Sequence, residues 1–148
     1  MKNATLHILI ADDDEADRLV FIEAFSELKT NTIVEAVNSG VQLMTWLDKK
    51  TVNLPALIFL DLNMPGKDGL QCLKQIRKDK KLKDIFVAIY STSSSEKDME
   101  ETFLNGANVY ITKPSDFNTL KNVLERVVKT TFLYQDNTMK RENFLLRL

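Results

Sequence analysis

Residues 55–69 read PALIFLDLNMPGKDG, a stretch in which an unbroken apolar run ends on an aspartate. The run covers residues 56–60, and Asp61 follows it directly. A short apolar run of this kind, which begins directly after Pro55, is typical of a strand that is buried on both faces. A carboxylate at the tip of such a strand is costly to bury unless a cation or hydrogen-bond donors compensate its charge. Asp61 therefore indicates a site at the end of this strand where a charge is needed.

The rest of the chain alternates short apolar runs with segments of helical periodicity. This pattern predicts strands over residues 6–11, 33–37, 56–60, 85–90 and 109–112, and helices over 14–29, 40–49, 69–78, from 93 to 106, and from 115 or 116 onward. Ser93 and Glu96 have the spacing of a capping box, which predicts the start of the fourth helix. In the second helix, Val41, Met44 and Leu47 are expected to face inward.

Five βα units in succession predict an α/β protein. Continuous rather than alternating apolar strands suit a parallel sheet that helices cover on both faces. With right-handed crossovers, the common five-stranded arrangement is the flavodoxin-like, doubly wound (βα)5 fold with strand order 2-1-3-4-5. In such sheets, ligands bind outside the carboxyl ends of the strands, at the switch point between strands 1 and 3. This rule locates the site before any motif is considered.

Four of the predicted strands end on side chains that carry a charge or a hydroxyl group. Asp12 and Asp13 follow strand 1, and Asp61 follows strand 3. Ser91 comes at the end of strand 4, and Lys113 follows strand 5. Because strands 1 and 3 are neighbours in the predicted order, their carboxylates share a small space and repel one another. Hard oxygen ligands suit Mg²⁺, so we predict a magnesium ion held directly by Asp13 and Asp61 and through water by Asp12.

The same residues fit the transfer of a phosphoryl group to an aspartate. Carboxylates are established nucleophiles that form aspartyl-phosphates. A metal ion neutralises the phosphoryl oxygens, and a lysine such as Lys113 binds phosphate as a point charge. The hydroxyl of Ser91 can donate to a further phosphoryl oxygen. We therefore predict that Asp61 binds the metal ion and transiently carries a phosphoryl group.

Four motifs resemble those of bacterial response regulator receiver domains, the CheY-like family: ILIADDDEADR, LIFLDLNMPGKDG, VAIYSTSS and GANVYITKP. The resemblance covers residues 5–130. CheY is itself a standard example of the strand order 2-1-3-4-5, so the expected topology is not independent of the resemblance. The long segment between Asp13 and Asp61 further resembles the stand-alone receivers that are paired with bacteriophytochrome kinases.

The resemblance implies a role for each residue that matches the family's motifs. These roles are Asp61 as the phospho-acceptor, Asp12 and Asp13 as the acidic metal pair, Asn63 as a metal ligand through its backbone carbonyl, Lys113 as the family's lysine, and Ser91 and Tyr110 as switch residues. On phosphorylation, Ser91 would move toward Asp61 and Tyr110 would rotate into the space that Ser91 leaves. Thr92 is the competitor for the position of Ser91, one residue out of register. The family also implies a cis bond between Lys113 and Pro114.

The phosphoryl donor that the resemblance implies is a histidine of a sensor histidine kinase. The chain has one histidine, His7, which begins strand 1 at the edge opposite the site and therefore offers no internal donor. The expected output is a change in contacts with a downstream protein, which the sequence does not identify. We expect a two-component phosphorelay protein that is not an enzyme, apart from its own phosphorylation and dephosphorylation.

Length and composition favour a cytoplasmic protein of one domain. The 148 residues fit a single domain, and a net charge of −1 gives no general attraction to nucleic acid or anionic lipid. The lone cysteine suits a reducing compartment, and no apolar run approaches the roughly 20 residues of a bilayer span. We expect a receiver domain over residues 1–130 and an extension over 131–148, without an output domain. Because apolar side chains cluster in the extension, it either continues the last helix and forms a homodimer contact or packs back on the domain.

A phosphohydrolase with an aspartate nucleophile is the alternative function. Enzymes that resemble the haloacid dehalogenases carry a D-x-D motif whose second acid serves as general acid and base. The corresponding segment here is DLN, and Asn63 at the second position counts against this function. A receiver that binds partners without phosphate is a third reading, against which the complete set of carboxylates and lysine argues.

Overall fold

The computed structural model describes residues 5–49, 53–135 and 146–147. Strands and helices alternate along the described chain in the predicted order. The elements are β1 Leu6–Ala11, α1 Glu15–Ser26, β2 Thr32–Val37, α2 Gly40–Lys49, β3 Leu57–Leu60, α3 Gly69–Lys78, β4 Phe86–Ser91, α4 Glu96–Leu104, β5 Val109–Thr112, α5 Phe117–Gln135 and β6 Leu146–Arg147. None of these helices combines the length and the apolar character that a membrane span requires.

The strands form one sheet in the order β2-β1-β3-β4-β5-β6, and every neighbouring pair is parallel. The predicted flavodoxin-like order 2-1-3-4-5 is therefore confirmed. A sixth strand, which the sequence did not predict, pairs Leu146 with Val109 and Arg147 with Tyr110. Two residues are too few to produce a detectable periodicity. Residues 136–145, most of the extension for which a dimer contact was predicted, lie outside the described part of the chain.

The central strands are buried on both faces because alternate residues enter two separate cores. In β3, Leu57 and Phe59 pack with α1 and α5, whereas Ile58 and Leu60 pack with α2 and α3. All four of these side chains are inaccessible to solvent. This double burial explains the unbroken apolar run before Asp61. It also makes the strand a rigid support that ends at the carboxyl edge of the sheet.

Helix α2 is rotated relative to the prediction. Leu43 and Leu47 are fully buried, but Val41 is 61% exposed rather than inward-facing. The helix begins at Gly40, which packs so closely that a Cβ there would lie 2.2 Å from the carbonyl oxygen of Lys67. This contact fixes the first turn against the loop before α3, and Val41 consequently projects to the outside.

Helix α4 begins two residues later than Ser93 and Glu96 predict. Its N-cap is Ser95, whose hydroxyl accepts a hydrogen bond from the backbone N–H of Asp98 at 3.2 Å. The hydroxyl of Ser93 instead donates to the carboxylate of Asp98 at 2.6 Å. The helix ends as expected, since Gly106 has a φ of 100°, a conformation that glycine adopts without steric cost.

Arg77, in the last turn of α3, ties the loops on either side of β4 together. Its Nε donates to the carbonyl of Gly106 at 2.9 Å. Nη1 donates to the carbonyls of Ile85 at 2.8 Å and Lys83 at 2.9 Å, and Nη2 donates to Oδ1 of Asn108 at 2.9 Å. The planar guanidinium is therefore used as a structural fork with four acceptors.

We expect Arg77→Lys to lower the free energy of unfolding by about 2 kcal/mol, because one ammonium cannot reach acceptors in so many directions and leaves carbonyls unpaired. Urea denaturation at constant ionic strength measures this loss. Lys78→Arg, on the neighbouring exposed position, is the matched control, with an expected change within about 0.5 kcal/mol. Equal stabilities of Arg77→Lys and the wild type would contradict the structural role.

Candidate functional site

Three carboxylates meet where β1 and β3 end. The backbone N–H of Asp61 donates to the carbonyl of Ala11 at 3.0 Å, and that of Asp12 donates to Val37 at 3.2 Å. These bonds continue the parallel ladders by one residue and fix both aspartates at the edge of the sheet. Asp12 and Asp61 are buried, whereas Asp13 is exposed.

The three carboxylates have the spacing and the chemistry of a metal site. Asp12, Asp13 and Asp61 each offer an oxygen, and these oxygens lie within 4.8 Å of one another. An all-oxygen set of this charge suits a hard divalent cation such as Mg²⁺ rather than a soft metal. Asn63 lies beside this cluster, and its backbone N–H donates to Oδ1 of Asp61 at 3.3 Å. The three predicted carboxylate ligands are thus brought to one place, and the cluster could hold a metal ion, whereas the role of the Asn63 carbonyl stays a prediction.

Lys113 reaches into this cluster from the end of β5. Its Nζ lies 2.8 Å from Oδ2 of Asp12, 2.8 Å from Oδ2 of Asp17 and 3.5 Å from Oδ2 of Asp61. Nζ also lies 5.3 Å from the centre of the Tyr90 ring, within the range of a cation–π contact. Burial opposes the charge of Lys113, but the hydrogen bonds to Asp12 and Asp17, together with the negative charges of Asp61 and Asp12, raise the pKa of the ammonium group.

The peptide bond that follows Lys113 differs from the family expectation. No cis peptide bond occurs among the described residues, so the bond between Lys113 and Pro114 is trans. An X-Pro bond prefers trans by roughly 0.5–1 kcal/mol unless its surroundings select cis. In the trans form, the backbone N–H of Lys113 still donates to the carbonyl of Ser91 at 2.8 Å, and the side chain still reaches the cluster.

In the absence of a bound cation, the surroundings of Asp61 make its ionised form less favourable than it is in water. Burial raises the pKa of its carboxyl group from 3.8 to about 6. The charge of Lys113 opposes this shift, and the carboxylate of Asp12 adds to it. A cation bound between these carboxylates would relieve both the burial penalty and the repulsion. The site is therefore arranged so that binding a cation and ionising Asp61 favour each other.

Ser91 and Tyr110 lie on the neighbouring strands β4 and β5. The hydroxyl of Ser91 is fully buried and accepts a hydrogen bond from the backbone N–H of Ser93 at 3.1 Å. Thr92, the competitor for this position, is exposed. Tyr110 is only 1% exposed, and its hydroxyl donates to the carbonyl of Ser93 at 2.9 Å. Tyr110 thus already faces inward, and the inward rotation predicted for it is not needed to reach this position.

Asp17 belongs to the site but was not singled out in the sequence. It lies in the first turn of α1, where its backbone N–H donates to the N-capping side chain of Asp14 at 2.9 Å. The available signal was its place in the motif ADDDEADR, three residues after Asp14 and therefore in the first turn of the predicted helix. The sequence could not reveal its partner, because Lys113 is 96 residues further along the chain.

Comparisons with known proteins agree with this arrangement. The chain matches the response regulator receiver domain over residues 8–125. It is 32% identical over 127 residues to the response regulator Rcp1 of Synechocystis sp., covering 81% of this chain and 84% of that protein. It is 31% identical over 125 residues to the chemotaxis protein CheY-3 of Vibrio cholerae, covering 84% of this chain and 93% of that protein.

A solved structure gives the same result. The phosphorylated cyanobacterial phytochrome response regulator RcpA superimposes with a TM-score of 0.79 at 31% identity, covering 87% of this chain and 95% of that one. These findings support the predicted resemblance to phytochrome-type response regulators and give no support to the phosphohydrolase alternative. The chain therefore belongs to the response regulator receiver family and is a receiver of two-component signalling.

Proposed function

We propose that Asp61 accepts a phosphoryl group from a histidine of a sensor histidine kinase and that this modification changes the contacts of the chain with a downstream protein. One observation carries the proposal. The buried carboxylate of Asp61 has an oxygen within 4.8 Å of oxygens of two further carboxylates, those of Asp12 and Asp13. The ammonium group of Lys113 lies 3.5 Å from it. This combination of charges is what the transfer of a phosphoryl group to a carboxylate requires.

The transfer forms one bond and breaks another. An oxygen of the Asp61 carboxylate forms a bond to phosphorus, while the bond between phosphorus and the kinase histidine nitrogen breaks and its electron pair returns to the imidazole. Lys113 stabilises the negative charge on the phosphoryl oxygens as a buried point charge. Asp12, Asp13 and Asp61, with the backbone carbonyl of Asn63, would hold Mg²⁺, which when bound neutralises phosphoryl oxygens. In support of the modification itself, the similar protein RcpA was solved in its phosphorylated form.

The signal would pass from Asp61 to the loop that begins at Ser91. The hydroxyl of Ser91 accepts from Ser93, and the carbonyl of Ser93 accepts from Tyr110, so these three residues form one chain of contacts between β4 and β5. A phosphoryl group on Asp61 that draws the Ser91 hydroxyl toward it breaks this chain of contacts. The loop before α4 then changes its shape. In this way a local change in charge at Asp61 shifts the balance between two conformations of that loop. The chain acts through protein contacts and turns over no free substrate. In the extension, residues 131–135 continue α5 and residues 146–147 pair with β5 of the same chain, so the homodimer contact stays a prediction.

Acetyl phosphate with Mg²⁺, followed by measurement of the intact mass, tests the proposal. We expect the wild type to gain one phosphoryl group, to gain none when EDTA removes the cation, and to carry the modification on Asp61 after peptide mapping. An unmodified wild type, or a modification on another residue, would contradict the proposed function. Release of phosphate from a small phosphomonoester in the same buffer would instead favour an enzyme.

A further inference from the structure

The ammonium group of Lys113 has three N–H donors and three carboxylates around it. Asp12 and Asp61 belong to the cluster that could hold a metal ion, but Asp17 does not. Asp17 is therefore the partner of Lys113 whose carboxylate has no second role in the site. Its distance to Nζ, 2.8 Å, equals that of the fully buried Asp12 and is shorter than the 3.5 Å of Asp61.

We propose that Asp17 is a positioning residue that holds the ammonium group of Lys113 over Asp61 during phosphoryl transfer, an inference that rests on the proposed function. The phosphoryl group arrives at Asp61, so Lys113 must keep donors directed toward it. A lysine side chain has four rotatable bonds and does not hold one geometry without a second contact. The carboxylate of Asp17, which stands on α1, supplies this contact at 2.8 Å.

Helix α1, which carries Asp17, is held in place at its first two turns. Asp17 stands on α1, whose first turn is capped by Asp14, and Phe21 one turn later is fully buried in the core between α1 and the sheet. The side chain of Asp17 is 42% exposed, so an amide can replace the carboxylate without loss of a buried group. Asp17→Asn therefore keeps the shape and removes the charge, and we expect the variant to fold.

The test is a double-mutant cycle with Lys113→Met, measured as the initial rate of modification by acetyl phosphate with Mg²⁺. We expect Asp17→Asn to lower this rate about 5- to 20-fold, because misplacement of a positioned group is costly to a transfer reaction. In the Lys113→Met background, Asp17→Asn should change the rate by less than about twofold, since the two residues act as one unit. Glu23→Gln, an exposed residue of α1 with the same change of charge, is the control and should leave the wild-type rate unchanged.

A second readout needs neither metal nor phosphodonor. We expect the free energies of unfolding in EDTA of the wild type, the two single variants at positions 17 and 113 and the double variant to be non-additive. Such coupling is typical of two residues in contact. An effect of Asp17→Asn on the modification rate that persists in the Lys113→Met background, or an unchanged rate in Asp17→Asn, would overturn the inference while the proposed function stands. Failure of the wild type to be modified at all would overturn the proposed function and this inference with it.

Discussion

Replacing Asp61 by asparagine is expected to abolish the uptake of a phosphoryl group and, at the same time, to stabilise the fold. The variant loses the nucleophilic carboxylate, so acetyl phosphate with Mg²⁺ should leave its intact mass unchanged. It also removes a buried charge that stands close to Asp12. We expect a gain of about 1–3 kcal/mol in the free energy of unfolding near neutral pH when EDTA is present.

The pH dependence of this gain follows from the pKa of Asp61, which burial raises from 3.8 to about 6. In the folded protein the carboxyl group of Asp61 stays protonated to a higher pH than in the unfolded chain. Between the two pKa values, the unfolded chain therefore binds fewer protons than the folded protein. The wild type therefore loses stability as the pH rises from about 4 to about 6, relative to Asp61→Asn. Below that window the carboxyl group is neutral in both states, and the two proteins should be similar in stability.

Urea denaturation of both proteins at about pH 4 and about pH 8 measures this difference. Mg²⁺ should stabilise the wild type more than Asp61→Asn at the higher pH, because ligands that bind only the folded state shift the equilibrium by mass action. A control at Asp48→Asn, an exposed residue in the last turn of α2 that is not part of the cluster, should show neither effect. If the difference in free energy of unfolding between the wild type and Asp61→Asn did not vary with pH, the pKa of Asp61 would not be raised in the folded protein.

The sheet could be predicted because its main signal is local. In a parallel sheet with two cores, every residue of a central strand such as β3 is apolar, and the first residue past the strand must lie at the carboxyl edge. This is why Asp61 and Lys113 were found from chain order alone. Their convergence then follows from the strand order, since β1 and β3 are hydrogen-bonded neighbours and β5 lies two strands away from β3.

Two kinds of feature could not be predicted. Some depend on contacts between side chains that are distant in sequence, and others on a choice between two neighbouring residues that suit the same local role. The contact of Asp17 with Lys113 requires the position of α1 relative to β5, which no periodicity specifies. Ser93 and Ser95 both suit the start of α4, and the choice falls to Ser95 because Ser93 bonds to the side chain of Asp98 instead. The inward position of Tyr110 follows from its bond to the Ser93 carbonyl, a product of that same loop.

Replacing Gly69 by alanine is expected to damage both the fold and the site. Gly69 is the first residue of α3, and its backbone N–H donates to the carbonyl of Leu62 at 3.1 Å. A Cβ at this position would lie 2.2 Å from the carbonyl oxygen of Asp61 and 2.9 Å from the Cα of Leu62. Both contacts are with backbone atoms, which cannot move aside as a flexible side chain can. The loop that carries Asp61 must therefore shift.

We expect Gly69→Ala to lower the free energy of unfolding by about 3 kcal/mol or more, the cost of forcing backbone apart in a packed region. Alanine is favoured over glycine in helices by up to about 1 kcal/mol, so helix propensity predicts the opposite sign and the two causes are separable. Urea denaturation gives the loss of stability. The initial rate of modification by acetyl phosphate should also fall at least about tenfold, because Asp61 is displaced from Lys113 and its carboxylate neighbours.

Gly66→Ala provides the matched control within the same loop. Gly66 has a φ of 78°, so alanine there pays roughly 1–2 kcal/mol for the left-handed conformation, but a Cβ would have no atom within 4 Å. This variant should therefore lose stability while its modification rate, measured at a temperature where it is fully folded, stays close to the wild-type value. If Gly69→Ala behaves like Gly66→Ala in both measurements, the close approach of α3 to the Asp61 backbone does not hold the phospho-acceptor in place. If only Gly69→Ala slows the modification, the start of α3 positions Asp61 as firmly as the strand that precedes it.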